Sequence, residues 1–144
     1  MVPYAGRASL VPMSTPAEVG LQRWHEVVER RDPSRLSGLI AEHAVFRSPA
    51  VHTPQEGRTL VAAYLAAALV VLGPKLTYHD EWVREHDAVL RFTTEVDGLE
   101  VEGVDLITWD DDGQITQFTV MIRPLKALNA VVARMAEELA KRAG

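Results

Sequence analysis

A capped helical first half, a run of alternating segments and one closing helix predict an α+β fold, with helices packed on one face of a curved antiparallel sheet. Three observations carry that prediction. Apolar residues recur at helical spacing within residues 15–74. Four segments of period-two alternation, joined by turn residues, fill 76–123, and a last amphipathic stretch follows Pro124. The length of 144 residues suits one domain, expected over 15–144 behind an N-terminal tail of 1–14.

The elements follow in order. Thr15 is placed to N-cap a first helix, with Pro16 at its first position and Glu18 closing a capping box. Val19, Leu21, Trp24, Val27 and Val28 then repeat at helical spacing up to Arg31. Asp32-Pro33 predicts a second helix carrying Leu36, Leu39 and Ile40. A short extended piece over 44–47 turns at Ser48-Pro49, and 51–57 is a loop. Thr59 begins a third helix through Tyr64 and Leu65, stopped at Gly73-Pro74. The strands are 76–84, 88–96, 99–109 and 114–123, turned at Glu85-His86-Asp87, at Asp97-Gly98 and within 110–113. Leu125, Leu128, Val131, Val132, Met135 and Leu139 make the last helix amphipathic.

Composition narrows the function classes. Hydrophobic residues at 47% and charged residues at 24% exclude long disorder, collagen and coiled coil. The absence of cysteine excludes disulfides, thiolate nucleophiles, zinc fingers and iron–sulfur clusters. Twenty acidic against 15 basic side chains give a net charge of −5 without a basic patch, which argues against nucleic acid and anionic membrane as partners. The longest apolar run, 60–72, is short for a bilayer span, and the interrupted segment 1–13 fails as a signal peptide. A cytoplasmic location is therefore expected.

Register follows from the turns. A two-residue loop at Asp97-Gly98 sets Val96 opposite Leu99, Phe92 opposite Gly103 and Leu90 opposite Asp105. A two-residue loop at Asp112-Gly113 then sets Asp105 opposite Val120 and Ile107 opposite Phe118, whereas a three-residue loop would turn Phe118 to the other face. One face thus reads Ala88, Leu90, Phe92, Thr94, Val101, Gly103, Asp105, Ile107, Trp109, Thr116, Phe118, Val120 and Ile122, with Asp105 its one ionisable group. A lone carboxylate on an apolar face is expensive, because burial disfavours the charged form. Two readings stay open: a pocket acid–base, or an aspartate satisfied by a backbone amide or a tyrosine.

Other constellations say less. His25, His43, His52, His79 and His86 form no metal spacing, so no metal is expected. No glycine-rich phosphate loop and no G-x-S-x-G elbow is present, and no cofactor is expected. His52 reads either as a pocket base near the mouth or as an exposed loop residue. Trp24, Tyr64, Phe92, Trp109 and Phe118 read either as cavity lining or as core, with Trp109 at the core or rim. Tyr78 and Trp82 share a face with Asp80 by simple alternation and receive no role.

A family resemblance appears in three stretches: Val104-Asp105-Leu106-Ile107-Thr108-Trp109-Asp110; Arg23-Trp24-His25-Glu26 through Ala44-Val45-Phe46-Arg47-Ser48-Pro49; and Gly57-Arg58 with Tyr64. Together with the element order, they make 17–122 resemble the cone-shaped superfamily of nuclear transport factor 2, ketosteroid isomerase, limonene epoxide hydrolase, scytalone dehydratase and the SnoaL-like cyclases. The resemblance implies a cone-like curved antiparallel sheet with N-terminal helices on its concave face. Against ketosteroid isomerase, which pairs an aspartate base with a tyrosine and a protonated aspartate, Asp105 matches the protonated aspartate, Ser48 stands where the base belongs and Trp24 where the tyrosine belongs. A serine hydroxyl does not abstract a carbon-bound proton at neutral pH and an indole N–H only donates, so steroid isomerisation of that type is not expected. Gly103 stands where limonene epoxide hydrolase has its arginine, and no scytalone dehydratase set is evident. The SnoaL-like cyclases are the nearest analogue. By that likeness Asp105, Ser48 and Trp24 form the polar end of a pocket lined by Val28, Tyr64, Leu90, Phe92, Phe118, Val120, Ile122 and His52. The ligand is then a small apolar molecule, isomerised, cyclised or hydrated with Asp105 as acid–base. The rival reading is a binding module without chemistry, and the resemblance implies a homodimer through the outer sheet face, with Arg91, Thr93, Val104, Leu106, Thr119 and Met121. A filled cone favours that module, and an open cavity of a few hundred Å³ favours ligand chemistry.

Overall fold

A computed structural model describes residues 14–143, so the tail expected over 1–14 lies outside the described residues apart from Ser14. Helix α1 (Pro16–Arg30) begins as the sequence predicts: Thr15 Oγ1 accepts from the Glu18 amide at 3.1 Å, and Glu18 Oε1 accepts from the Thr15 amide at 2.9 Å. The expected second helix is not formed. Asp32 caps a 3₁₀ turn at Pro33–Arg35, and a second 3₁₀ turn covers Ser37–Leu39. Ser37-Gly38 is a weak helix former, and Ile40 is drawn into strand β1 (Ile40–Arg47), which leaves too short a run to propagate a helix.

Strand β2 (Gln55–Glu56) leads to helix α2 (Arg58–Leu72), whose N-cap Gly57 sits at φ 100°. Strands β3 (Thr77–Val83), β4 (Asp87–Val96), β5 (Leu99–Trp109) and β6 (Ile115–Arg123) precede the closing helix α3 (Leu125–Ala143). The sheet runs β2-β1-β6-β5-β4-β3. It is mixed rather than wholly antiparallel, because β1, reached from the helical layer, joins the open edge of β6 in the same direction. The segment Arg58–Lys75 has the length and apolar composition of a membrane span. Its α-helical part is about 22 Å long, short of the roughly 30 Å hydrocarbon core, and it packs between β1 and α3.

The β4–β5 register is the expected one, with Phe92 opposite Gly103 and Leu90 opposite Asp105. Asp97 and Gly98 both take positive φ, 52° and 78°, as a tight two-residue hairpin requires. The β5–β6 register also pairs Asp105 with Val120 and Ile107 with Phe118, but by a different route. The loop is a three-residue one, closed by Asp110 N–H donating to the Gln114 carbonyl at 2.9 Å, with Gly113 at φ 76°. A bulge between the pairs Thr108–Gln117 and Trp109–Ile115 absorbs the extra residue and restores the register. Ile115 therefore occupies the inner face, buried, in place of the expected Thr116. Trp109 is core; it lies across Gly20, where a Cβ would come within 2.2 Å of its indole nitrogen.

Candidate functional site

The inner faces of β4, β5 and β6 carry leucine, phenylalanine, valine and isoleucine around one acid, Asp105, which is 5% exposed. Its partner comes from β3. Tyr78 Oη donates to Asp105 Oδ2 at 2.5 Å, and Trp24 Nε1 on α1 donates to Tyr78 Oη at 3.0 Å. Tyr78 is the middle link: the Trp24 N–H can only give, so it fixes the Tyr78 proton toward the acid. The chain is braced by ring contacts: Trp24 lies edge-on to Phe118 at 5.0 Å, and Tyr78 lies edge-on to Phe92 at 6.1 Å and to His25 at 5.4 Å. His25 in turn pairs with Glu81 at the rim. Gly103 lets the Phe92 ring lie beside Asp105, since a Cβ there would meet Phe92 Cζ at 2.6 Å.

Simple alternation gives Tyr78 the same face as Asp80 and Trp82. A bulge corrects that: Tyr78 pairs with Phe92, but Asp80 pairs with Arg91, so His79 is the extra residue. The bulge turns Tyr78 inward and leaves Asp80 outside, bonded to Arg91 at 2.8 Å. No glycine marks the bulge in the sequence. The expectation of a tyrosine or amide partner for the buried carboxyl is met by Tyr78, and which tyrosine it is could not be read through the bulge.

Burial pushes the Asp105 carboxyl up to about 7, against a smaller downward pull from the Tyr78 hydrogen bond. Burial, and then the charge of Asp105, push the Tyr78 hydroxyl well above its ordinary value. Tyrosine therefore stays a proton donor to the acid, while the acid itself exchanges its proton near neutrality. Asp105 Oδ1 has no hydrogen-bonding side chain or amide among the described residues.

Two cavities adjoin this network. The smaller, about 30 Å³, is walled by Trp24, Val28, Tyr78, Phe92, Asp105 and Phe118 among others, and it has room for a water. The larger, about 190 Å³, lies under α3 and takes Phe46, Ser48, Tyr64, Ile122, Val131 and Met135 into its wall. Ala68, Leu72 and Val120 face both.

The structure thus divides the expected site. It joins Asp105, Trp24, Val28, Phe92 and Phe118 at the inner end, and Ser48, Tyr64 and Ile122 at the outer end, with Val120 at both. Ser48 Oγ accepts from the Ala50 and Val51 amides at 3.0 and 3.1 Å, a turn contact at the mouth, and it does not meet Asp105. Leu90 is fully buried and lines neither cavity. His52 is exposed and lines neither. The closing helix was expected only as an amphipathic cover; its Val131, Val132, Met135 and Leu139 form a cavity wall. Among the described residues, no group of three or more histidine, aspartate or glutamate side chains is placed to hold a metal.

Comparison with known proteins identifies the family. No curated protein matches the chain in sequence. A steroid delta-isomerase from Pseudomonas aeruginosa is 36% identical, with a TM-score of 0.85 over 92% of this chain and 98% of that one. A bacterial protein of cystatin-like fold from Silicibacter pomeroyi is 33% identical, with a TM-score of 0.76 over 82% of this chain and 83% of that one. A Mycobacterium tuberculosis protein in complex with estradiol-17β-hemisuccinate shares the fold at 18% identity, with a TM-score of 0.62 over 79% of this chain and 98% of that one. The sequence model of the SnoaL-like domain matches residues 21–118, the span that holds Trp24, Tyr78, Asp105 and Phe118. A cone of helices on a curved sheet, an acid on its inner face and a match over most of the chain make this protein a member of the SnoaL-like domain family.

Proposed function

We propose that this protein admits a small, neutral, apolar ring compound beneath α3 and acts on it with Asp105 as acid–base, in an isomerisation, cyclisation or hydration that needs no cofactor. One observation carries the reading: a lone carboxyl on an apolar face at a cavity wall, with one oxygen held by Tyr78 and the other without a partner among the described residues. A carboxyl poised near 7 transfers protons in both directions at neutral pH. Tyr78 steadies Oδ2, and Oδ1 takes a proton from the ligand and returns it to another atom. The likeness to a steroid delta-isomerase supports proton-shuttling chemistry of this kind.

Ligand size follows from the cavity. An apolar cavity of about 150 Å³ holds benzene, and drug-sized ligands occupy roughly 300–1,000 Å³. The 190 Å³ here fits one ring with a short substituent rather than four fused rings. Among the described residues no lysine, arginine or histidine lines either cavity, which disfavours carboxylate and phosphate ligands.

The test is carboxyl carbon NMR of Asp105 with cyclohexenone as probe. We expect a titration midpoint near 7, a shift on adding the ketone, and accelerated exchange of its α-hydrogens in heavy water that Asp105→Asn abolishes. A midpoint near 4 with no exchange overturns the reading. A binding module without chemistry is favoured by the wall that Ala68, Leu72 and Val120 set between the larger cavity and the acid; cyclohexenone binding that leaves the Asp105 signal unmoved selects it. We also read the outer sheet face as a homodimer surface, since Met121 is 55% exposed there beside half-buried Val104, Leu106 and Thr119. A monomer by sedimentation at high concentration overturns that.

A further inference from the structure

The wall between the two cavities consists of Ala68 and Leu72 on α2 and Val120 on β6. A ligand seated in the larger cavity touches Asp105 only if that wall opens. The three residues differ in their freedom to move. Ala68 has no rotatable side chain. Val120 is β-branched, and the β6 backbone holds it opposite Asp105 in the ladder. Leu72 closes α2, is buried with two rotatable side-chain torsions and is followed by Gly73-Pro74. Its backbone is fixed: the Leu72 carbonyl accepts from buried Thr94 Oγ1 at 2.8 Å, and the next amide, Gly73 N–H, caps the helix on the Leu69 carbonyl. A held backbone, a side chain with rotatable torsions and a cavity on each side are the properties of a gate.

We propose that Leu72 is the specificity-determining gate of the site: its side chain sets which ligands reach Asp105 from the cavity under α3. The inference rests on the reading above, in which that cavity is the ligand's seat. A one-ring ligand fits with Leu72 swung aside. A two-ring ligand fills the larger cavity and presses Leu72 into the closed position, so it binds without touching the acid.

The experiment compares cyclohexenone and decalone on the full chain, with dissociation constants and the Asp105 carboxyl signal read together by NMR. In the wild type, both ketones bind and cyclohexenone alone moves the signal. In Leu72→Ala the two cavities merge, decalone binds about tenfold tighter relative to cyclohexenone, and it now moves the Asp105 signal. Leu139→Ala enlarges the outer cavity only and leaves the signal insensitive to decalone. If Leu72→Ala does not fold, Leu72→Val gives the same change of direction at smaller amplitude. An unchanged ratio in both Leu72 variants, or the same response from Leu139→Ala, overturns the gate and leaves the proposed function standing. Wild-type protein that binds neither ketone overturns both.

Discussion

Glu102 and Asp105 stand on the same strand, β5, and point to opposite faces of the sheet. On the outer face Glu102 accepts from Arg123 at 2.9 Å and from Arg91 at 2.8 Å, and those hydrogen bonds hold its carboxyl below the usual range. On the inner face Asp105 meets, among the described residues, one neutral donor, Tyr78, and no cation, and burial pushes it to about 7. Two acids with the same intrinsic chemistry thus become a fixed charge and an exchangeable proton. The net charge of −5 hides that distinction, because it counts both alike. What separates them is the parity of position along β5 and what each face offers in place of water.

The largest expected break in the comparison is Asp105→Asn. The unfolded aspartate binds its proton only up to about pH 4, whereas the folded one holds it to about 7. Between those values the folded chain carries more protons, so wild-type stability falls as pH rises through that window and levels off above it. Asparagine keeps the shape and has no such loss. The stability of Asp105→Asn relative to wild type should therefore improve by roughly 4 kcal/mol between pH 4 and pH 8. Urea unfolding at a series of pH values measures it, and two parallel curves would place Asp105 in water.

Tyr78→Phe comes next. The Tyr78 hydrogen bond pulls the acid down, so its removal should raise the Asp105 midpoint above 7. It also strands the Trp24 N–H and should cost about 1–2 kcal/mol of stability. A midpoint that falls, followed by carboxyl NMR, contradicts the pairing drawn here.

How far the sequence foretold these residues has a physical pattern. The β4–β5 register and Asp105's inward position were legible because Asp97-Gly98 suits the positive φ of a two-residue turn, and one turn then fixes a whole face. Tyr78 was not legible, because a bulge at His79 reverses face parity without any glycine to announce it. Phe118 lies on the inner face although the loop has three residues, since the loop and an unannounced bulge cancel. Thr116 lost its expected place to Ile115 for the same reason. Ser48 matched a family position by residue order, yet its oxygen closes a local turn, a competition that short polar side chains often win. The second helix failed where pairing with β6 drew Ile40 into the sheet.

Glu102→Gln gives the smallest effect and the opposite sign. In the single chain Glu102 is solvated and paired, and exposed pairs contribute little to stability because water and salt screen them. Its folded carboxyl lies below the unfolded one, so whatever stability it supplies is present above the unfolded glutamate value and disappears as pH falls through the folded one. Wild type and Glu102→Gln should thus converge in acid and separate slightly toward neutral pH, with the gap closing in high salt. Asp105→Asn separates from wild type in the other direction over the same range. A Glu102→Gln curve that instead gained stability with pH would mean that Glu102 is desolvated in solution, the behaviour expected where the second copy of the proposed homodimer covers it. The same measurement, repeated at tenfold dilution, would tell those cases apart, since only a covered Glu102 changes its behaviour with protein concentration.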